Sequence, residues 1–350
     1  MPELAEITVI APNFKRRLSG VTSTIVQLVP LQARSLGIAT LGPGLPDALP
    51  KLSWCDLPKL WRRPTGRPFR IWHARRNPEM LAGVVLRDVL RMPLRLLFTS
   101  AAQRHHTAWT RFLISRMDAV VATSERSRAY LTVPARVVMH GIDCERFRPD
   151  GPMPSGPLAE RLAGHRIVGC SGRIRHQKGT DLFVEAMISL LPDHAGWSAV
   201  ITGRATSDNE SFAADLKRRI DGAGLAERII FAGEVDDIAA WFRRFDLYVA
   251  PPRNEGFGLT PLEAMASATP VVASDAGAFP ELIVEGVTGR VVPAGDAGAL
   301  GSAIAPYLSG DAMREAAGTA GLQHVRRNFP LKREVGQLGE VYEAIWASVR

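Results

Sequence analysis

Short apolar runs alternate with segments whose apolar residues recur at helical spacing along most of the chain. In the first half, residues 7–11 predict a buried strand and residues 21–36 predict the helix that follows it. Later runs predict strands at residues 94–98, 119–122 and 136–139 and helices at residues 81–91 and 109–117. Residues 51–76, rich in Pro, Arg and Trp, give no clear prediction. Strands that alternate with helices are typical of a parallel sheet covered on both faces.

A second series of elements begins after the Pro- and Gly-rich segment 150–157, which is the best linker candidate. Its strands are predicted at residues 167–170, 197–202, 228–231, 245–251, 270–274 and 289–293, with helices at residues 180–191, 209–223, 238–245 and 261–266. A long amphipathic helix is predicted over residues 331–349. The fold class is therefore α/β, with two Rossmann-like doubly wound domains, 1–155 and 156–330, facing across a ligand cleft.

Composition adds the expectation of a cytoplasmic protein. Hydrophobic residues make up 46% and charged residues 22% of the 350 residues, which is ordinary for a globular protein. The three cysteines lack CxxC spacing, which favours reduced thiols in the cytosol. Residues 1–9 lack the basic head and apolar run of a signal peptide. No uncharged apolar stretch approaches the 18 residues of a membrane span.

The positive charge is concentrated in the first half. Residues 1–150 contain 23 Lys/Arg against 11 Asp/Glu, and residues 151–350 contain 20 against 24. Residues 51–116 alone have 14 basic and 3 acidic residues, interleaved with tryptophans. This pattern suits the headgroup layer of an anionic membrane, so we predict peripheral contact with the inner face of the cytoplasmic membrane. Nucleic-acid binding and an ordinary solvated surface are the alternative interpretations.

Two carboxylates in the second half are the strongest chemical signal. Glu255 opens a turn with Gly256, Phe257 and Gly258, and Glu263 follows eight residues later, after a predicted helix start. Eight residues on a helix are a little over two turns, so both carboxylates could face one ligand. Carboxylates suit sugar hydroxyls, and unpaired N–H groups of a helix start suit phosphate. Together they indicate a nucleotide-sugar; two solvated surface glutamates are the alternative.

Basic residues follow another strand of the same predicted sheet. Arg173 and Lys178 lie in the loop after the strand 167–170, at the end of the sheet where such folds bind ligands. Cations fixed there would stabilise the charge that develops on a departing diphosphate. In the first half, Gly20 joins a strand to a helix and could allow the backbone to approach a ligand. Solvated loop cations and an ordinary turn glycine are the alternatives.

The sequence lacks the motifs of several other classes of enzyme and of metal sites. The histidines form no HxxxH or HxxH pair, and no Asp-rich loop could hold magnesium on a diphosphate, so no metal site is predicted. The sequence contains no GxSxG, Walker or GxGxxG loop after its first strand. These absences count against a hydrolase, a kinase and a dehydrogenase.

These motifs resemble those of the retaining GT-B glycosyltransferases (group 1, family 4). The matching segments are Gly172-Arg173, Lys178-Gly179, residues 231–235, Pro252 through Glu263, residues 270–274 and residues 280–289. The resemblance covers nearly all of residues 165–295, and its Glu-x7-Glu element is specific. The first half matches more loosely, through the Gly20 loop and the segment 138–147. Within the family, its Arg- and Trp-rich first half is most similar to bacterial lipopolysaccharide-core mannosyltransferases.

The resemblance implies roles for individual residues. Arg173, Lys178 and Glu255 would be catalytic, with the two cations on the donor diphosphate. Glu255 and the amides of Gly256, Phe257, Gly258 and Leu259 would hold donor-sugar hydroxyls and phosphate, Glu263 would bind the ribose, and Gly20 would approach the diphosphate. The final helix, 331–350, would join the N-terminal, acceptor-binding domain. No divalent metal and no cofactor would be required.

One position departs from the family pattern. Many members have a histidine at the end of the strand predicted at residues 94–98, whereas this chain has Thr99 and Ser100 there. The nearest histidines are His105 and His106, and no role is assigned to either.

The resulting prediction is a metal-independent hexosyltransferase that moves mannose from GDP-mannose to a lipopolysaccharide inner-core acceptor, a Kdo-lipid A precursor. The acceptor would be anionic and lipid-linked, and no nucleic acid is expected as a partner. One alternative is a transferase that uses a UDP- or ADP-sugar for another lipid or exopolysaccharide acceptor. A phosphorylase or epimerase and, more remotely, a non-catalytic nucleic-acid-binding module are the others.

Overall fold

Two parallel β-sheets organise the chain, one in each of two separate units. The structure is a computed structural model that describes residues 3–16 and 20–348. Unit 1 consists of Met1–Gly141 and Leu331–Arg350, and unit 2 of Ile142–Pro330. Two domains with parallel sheets and helical connections are what the alternating apolar pattern predicts, so that part of the fold prediction is confirmed.

Unit 1 is built on a seven-stranded parallel sheet with the strand order β3-β2-β1-β4-β5-β6-β7. The strands are β1 (Val9–Pro12), β2 (Ile38–Leu41), β3 (Lys51–Leu52), β4 (Arg70–Ala74), β5 (Leu94–Ser100), β6 (Ala119–Ala122) and β7 (Arg136–Val137). The order reverses between β1 and β4, which are neighbours with Val9 opposite Ile71. In open parallel sheets, such a reversal leaves a crevice at the carboxyl ends of the two strands.

The helices of unit 1 cover this sheet. They are α1 (Gly20–Gln32), α2 (Asn77–Val84), which a π-helical turn (Val85–Val89) continues, α3 (Ala108–Ser115), α4 (Glu125–Arg128) and the final helix (Leu331–Ala347); a 3-10 helix spans Trp54–Trp61. The final helix buries an apolar stripe that includes Leu338, Val341 and Ile345 against the core residues of α1 and the sheet. It therefore belongs to unit 1 although all of unit 2 precedes it in the sequence.

The central strand β4 lies in the segment for which the sequence gives no prediction. All five of its residues are buried, including Arg70 and His73. The Arg70 guanidinium donates to main-chain carbonyls, and the His73 ring lies 2.8 Å from the Tyr342 hydroxyl and 2.7 Å from Thr99 Oγ1. Polar residues can occupy a buried strand when every polar atom finds such a partner. Those partners lie far away in the sequence, so an apolar pattern does not reveal this strand.

Unit 2 is built on a six-stranded parallel sheet with the order β10-β9-β8-β11-β12-β13. The strands are β8 (Arg166–Ser171), β9 (Trp197–Thr202), β10 (Ile229–Gly233), β11 (Leu247–Ala250), β12 (Val271–Ser274) and β13 (Gly289–Val292). The helices are α5 (Pro157–Arg161), α6 (Thr180–Leu190), α7 (Glu210–Gly222), α8 (Ile238–Arg244), α9 (Thr260–Ala266), α10 (Phe279–Leu282), α11 (Ala297–Ser309) and α12 (Asp311–Asn328). The sheet reverses its order between β8 and β11.

The boundary between the units differs from the predicted one. Unit 2 begins at Ile142 and not at residue 156. The Ile142 amide donates to the Phe329 carbonyl at 2.8 Å, and the Phe147 ring packs edge-on against Phe242 with 5.9 Å between centroids. These contacts fix residues before the Pro-rich segment to unit 2, so the segment is a surface connection within that unit and not a hinge between domains.

Within the described ranges, each helix is too short or too polar to traverse a bilayer.

Candidate active site

The two loops that carry the predicted catalytic residues leave the same edge of the unit 2 sheet. Strands β8 and β11 are parallel neighbours, with Leu247 opposite Val168. The loop after β8 runs to Gly179, and the loop after β11 runs from Pro251 to Leu259. Because these strands flank the reversal of strand order, their loops border the crevice where doubly wound sheets bind ligands.

Hydrogen bonds join the two loops side by side. The Arg253 amide donates to the Gln177 carbonyl at 2.9 Å, and the Arg253 guanidinium makes a bidentate pair with Asp181 at 2.7 Å for each bond. Burial would raise the pKa of Asp181, but the hydrogen bonds and charge of Arg253 outweigh it and lower that pKa. A bidentate arginine pair fixes orientation as well as distance. The loops therefore form one rigid wall.

Close backbone packing at Gly179 helps to form this wall. Gly179 has φ +67°, and a Cβ there would lie 1.9 Å from the Pro251 carbonyl oxygen. Only glycine combines a left-handed backbone with the absence of a side chain. Any other residue would push the β11 loop away from the start of α6.

Lys178 and Glu255 meet at this wall as an ion pair with a short contact between Nζ and Oε2. The two side chains are 27% and 21% exposed, so each keeps an open side toward solvent. The other carboxylate oxygen of Glu255 accepts from the Gly256 amide at 3.0 Å. The structure thus brings together a cation, an anion and a backbone amide, which are the groups that phosphates and sugar hydroxyls require.

Two glycines hold the Glu255 side chain in place. Gly258 (φ +83°) has no room for a Cβ, which would lie 2.2 Å from the Phe279 ring and 3.0 Å from Glu255 Cγ. A Cβ on Gly277 (φ +64°), in the loop after β12, would lie 2.9 Å from Glu255 Cβ. The carboxylate is therefore positioned by packing from two loops and not by the ion pair alone.

The glycine turn presents its backbone and buries its aromatic ring. Phe257 is a core residue, 4% exposed, and its carbonyl accepts from the Ala278 amide at 3.2 Å. Gly256, Gly258 and Leu259 are partly exposed. The helix α9 starts at Thr260, so the N–H groups of its first turn have no acceptor within the helix. If Phe257 contacts a ligand, it can do so only through its main chain.

Glu263 is placed differently from the sequence-based expectation. Only Glu263 lies on α9, whereas Glu255 lies in the loop before it, so the two carboxylates are not two turns apart on one helix. The predicted spacing of two helical turns between Glu255 and Glu263 is wrong, because the Gly256-Phe257-Gly258 turn lies between Glu255 and the start of the helix. Burial raises the pKa of Glu263 to about 7, although the charge of Arg146 opposes the change. The residue keeps partial exposure, through which a ligand could reach it.

Arg173 and Gly20 are the two remaining predicted site residues. Arg173 is exposed in the loop after β8. Gly20 is the exposed first residue of α1 in unit 1, and a Cβ there would have no neighbour within 4 Å. Residues 17–19 of its loop lie outside the described residues. Arg173 and Gly20 as diphosphate-binding residues stay predictions.

Sequence reasoning missed other polar residues at the same edge of the sheet. Arg253 and Gly277 support Glu255, as described above. Arg175 Nε and Thr202 Oγ1, at the ends of β8 and β9, are buried and have no hydrogen-bond partner in the described structure. The available signal was that Thr202 ends one predicted strand and Arg175 lies in the loop after another, because the carboxyl ends of parallel strands meet at one edge.

Within residues 3–16 and 20–348, no group of three or more His, Cys, Asp or Glu side chains is arranged to hold a metal ion. The absence of a metal requirement stays a prediction.

Comparison with known proteins identifies the class to which this fold and site belong. Residues 165–309, which include both loops, match the family described as glycosyl transferases group 1. The chain belongs to this family and is a glycosyltransferase.

Two relatives match over nearly their whole length. The chain is 60% identical to the lipopolysaccharide core biosynthesis mannosyltransferase LpcC of Rhizobium leguminosarum bv. viciae over 99% of its own length and 98% of the relative's. It is 53% identical to the lipopolysaccharide core biosynthesis mannosyltransferase LpsB of Rhizobium meliloti, with 99% of both chains covered. The predicted family resemblance is therefore confirmed.

A solved structure supports the fold. Alr3699/HepE of Anabaena, in a crystal structure with UDP and glucose, superposes with a TM-score of 0.81 over 97% of this chain and 100% of that chain, at 16% identity. The predicted GT-B class of two Rossmann-like domains is confirmed by such neighbours.

The raised pKa of Glu263 predicts how stability depends on pH. The native pKa of about 7 exceeds the ordinary value of 4.5, so the folded state holds more protons between these values. The free energy of unfolding therefore falls as pH rises through this window, by on the order of 1–3 kcal/mol for this group, and levels off above it. Glu263→Gln should remove that contribution, as urea unfolding at pH 5 and pH 8 would measure.

The difference in stability between wild type and Glu263→Gln contains the contribution of Glu263 alone, because all other titrating groups are shared. We expect Glu263→Gln to gain stability relative to wild type on going from pH 5 to pH 8. Parallel stability profiles for the two proteins would show that Glu263 ionises without a cost and would contradict its raised pKa.

Proposed function

We propose that this glycosyltransferase moves mannose from GDP-mannose to a lipopolysaccharide inner-core acceptor, a Kdo-lipid A precursor, with retention of anomeric configuration and without a metal. The proposed sugar and acceptor rest on the similarity of the whole chain to two enzymes named as lipopolysaccharide core mannosyltransferases. The Lys178–Glu255 cluster at the carboxyl edge of the unit 2 sheet supports a nucleotide-sugar donor.

The proposed reaction exchanges one glycosidic bond for another. The bond between the anomeric carbon and the diphosphate oxygen breaks, and its electron pair passes to the diphosphate. The acceptor hydroxyl oxygen bonds to the anomeric carbon on the face that the diphosphate leaves, and the hydroxyl proton passes to an oxygen of the departing diphosphate. The growing negative charge on the diphosphate is the feature that the enzyme can stabilise.

Residues of unit 2 match these requirements. Lys178 and Arg173 supply positive charge for the departing diphosphate, and two such cations replace the neutralising role that a divalent ion plays elsewhere. Glu255 and the amides of the glycine turn hold the hydroxyls of the transferred sugar. Glu263 accepts hydrogen bonds from the ribose hydroxyls, most strongly when its carboxylate is ionised. Arg173 is exposed, so it can move toward the diphosphate when the donor binds.

The donor and the metal requirement are tested together by a transfer assay. Purified protein should transfer radiolabelled mannose from GDP-mannose to Kdo-lipid A precursor, with an unchanged rate in excess EDTA. UDP-glucose and ADP-glucose should give little product. Transfer from a UDP- or ADP-sugar instead would keep the enzyme class and discard mannose, and loss of activity in EDTA would contradict metal independence.

The Lys178–Glu255 cluster is tested by substitution. Glu255→Gln and Lys178→Met should each lower kcat by about 10²- to 10³-fold, because each removes a charged group aimed at the transferred sugar or its leaving group. Circular dichroism should show retained secondary structure. Glu234→Gln is the matched control, because it breaks the exposed Arg204–Glu234 ion pair of a neighbouring loop. Near-normal turnover of Glu255→Gln would remove Glu255 from the catalytic machinery.

We also propose that unit 1 contacts the cytoplasmic membrane, where the lipid-linked acceptor resides. Large apolar side chains are exposed on three neighbouring elements, here called the aromatic surface: Trp54, Trp61, Val89, Leu90, Trp109 and Phe112, each between 41% and 68% exposed. Trp109 and Phe112 stack on α3 with 5.7 Å between ring centroids. Such a patch is unusual on a protein that contacts only water.

Contacts between the elements make the aromatic surface continuous. Trp61 Nε1 donates to the Leu90 carbonyl at 2.8 Å, which joins the 3-10 helix to the π-helical turn. Arg116 after α3 pairs with Asp88 of that turn at 2.7 Å. Exposed arginines lie among these residues in the sequence: Arg62, Arg63, Arg91, Arg104 and Arg111. Tryptophan at the interface and arginine near phosphate headgroups would bind an anionic bilayer surface together.

Vesicle binding tests the aromatic surface. Trp109→Ser combined with Phe112→Ser should weaken binding to vesicles containing phosphatidylglycerol at least tenfold, because the two apolar side chains no longer insert at the membrane interface. Met153→Ser, at an exposed apolar position of unit 2, is the control and should bind as wild type does. Co-sedimentation measures the affinity. Equal binding of both variants, or wild-type binding that ignores lipid charge, would contradict this membrane contact.

A further inference from the structure

Three arginines are buried among the described residues: Arg70, Arg75 and Arg314. Two of them are well satisfied by the protein. Arg70 donates to the carbonyls of Ile7 at 2.9 Å and Leu4 at 3.0 Å, and also to that of Arg62. Arg314 pairs with Asp311 at 2.5 Å and donates to the Tyr307 carbonyl. A buried guanidinium needs such partners to offset its lost hydration.

Arg75 lacks comparable partners. Within the described chain, its guanidinium makes one hydrogen bond, a 3.3 Å contact from Nη1 to the His73 carbonyl, and no carboxylate lies within ion-pair distance. A guanidinium has five N–H donors, so most of its capacity is unused. Burial lowers the pKa of Arg75, and the surrounding acidic groups only partly oppose this effect. Arg75 carries an unusual desolvation cost for a structural residue.

The nearby acids are already engaged by other groups. Glu79 accepts from Arg76 at 2.8 Å and from the Arg75 main-chain amide at 2.8 Å. Glu334 lies 2.7 Å from His140 Nδ1 and accepts from the Gly141 amide at 2.8 Å. The protein thus holds carboxylates in this region without turning one toward the Arg75 guanidinium.

The position of Arg75 in the fold is that of a ligand-binding residue. Arg75 directly follows β4, at the reversal of strand order between β1 and β4, where open parallel sheets bind ligands. Ser100 is the last residue of β5 and Thr123 directly follows β6, and the Thr123 amide donates to the Ser100 carbonyl at 3.0 Å. The hydroxyls of both residues are buried and have no hydrogen-bond partner in the described structure. Unsatisfied polar groups therefore collect along this edge.

We propose that Arg75 binds the carboxylate of an acidic sugar in the acceptor, with Ser100 and Thr123 at the same sheet edge as hydrogen-bond donors to that sugar. This inference rests on the proposed function, because it assumes a sugar-acid acceptor. The planar guanidinium of arginine can bind a carboxylate through two parallel hydrogen bonds. Because no carboxylate of the protein pairs with the buried Arg75 guanidinium, this residue favours a ligand that carries a carboxylate. Neighbouring strands lie about 5 Å apart, so three residues on three adjacent strands span about 10 Å, enough for a sugar ring together with its carboxylate.

Equilibrium binding of the acceptor tests the proposal without requiring turnover. Kdo-lipid A precursor and the same lipid with its carboxyl groups reduced to alcohols are titrated by calorimetry into wild type and Arg75→Met. Wild type should bind the acid form about 10- to 100-fold more tightly than the reduced form, as expected for charge-assisted hydrogen bonds. Arg75→Met should bind both forms equally and weakly, and its affinity for GDP should be unchanged.

Two further variants separate binding from folding. Arg75→Lys keeps a charge without the fork and should retain only part of the preference for the acid form. Arg70→Met removes the neighbouring buried arginine, whose guanidinium donates to main-chain carbonyls of the protein. It should therefore lower the melting temperature while leaving the preference for the acid form intact. If Arg75→Met does not fold, Arg75→Lys decides the question.

Several results would overturn the proposal. Wild type that binds both forms equally, or Arg75→Met that keeps the preference for the acid form, would show that Arg75 does not bind the carboxylate. Weaker GDP binding by Arg75→Met would assign Arg75 to the donor diphosphate instead. Absence of mannose transfer with a retained, Arg75-dependent preference for the acid form would overturn the proposed donor and leave the proposed carboxylate site standing.

Discussion

The ion pair between Lys178 and Glu255 is the interaction on which the organisation of unit 2 around its ligand edge depends. The loops that follow parallel strands all lie at the carboxyl edge of the sheet, but the sheet itself does not bring two of these loops into contact. The short Lys178–Glu255 contact, the bidentate Arg253–Asp181 pair and the close approach of Gly179 to Pro251 make them meet. A partly buried charge that loses its partner costs free energy, so replacing either side chain of the pair should loosen the contact between the two loops while the sheet stays folded.

Much of the fold could be predicted because buried parallel strands are continuous apolar runs. Strands β6 and β9 have the bounds that the sequence predicts, and most other predicted elements of unit 2 differ by one or two residues. Strand β4 could not be found in this way, since Arg70 and His73 interrupt its apolar pattern. Helices α11 and α12 were also missed, and α12 is rich in Ala and Gly and has no strong apolar stripe.

The candidate site was predictable where its residues stand directly after strands. Lys178 and Glu255 were found in that way, and the structure places them in contact. The relation between Glu255 and Glu263 was predicted wrongly, because a spacing of eight residues does not say where a helix begins. Arg253 joins this loop to Gln177 and Asp181, and Gly277 packs against Glu255, through contacts that only the folded sheet creates.

The final helix has a consequence for how the protein is made. During translation, residues 1–141 of unit 1 leave the ribosome long before residues 331–348 are synthesised, because all of unit 2 is made in between. Until then, His73 and Gln32 lack the Tyr342 hydroxyl, His140 lacks Glu334, and the apolar face that packs on Leu338 and Ile345 is open to water. The unit that is synthesised first is therefore completed last, and a nascent chain must keep an incomplete N-terminal sheet from aggregating for as long as its second half takes to emerge.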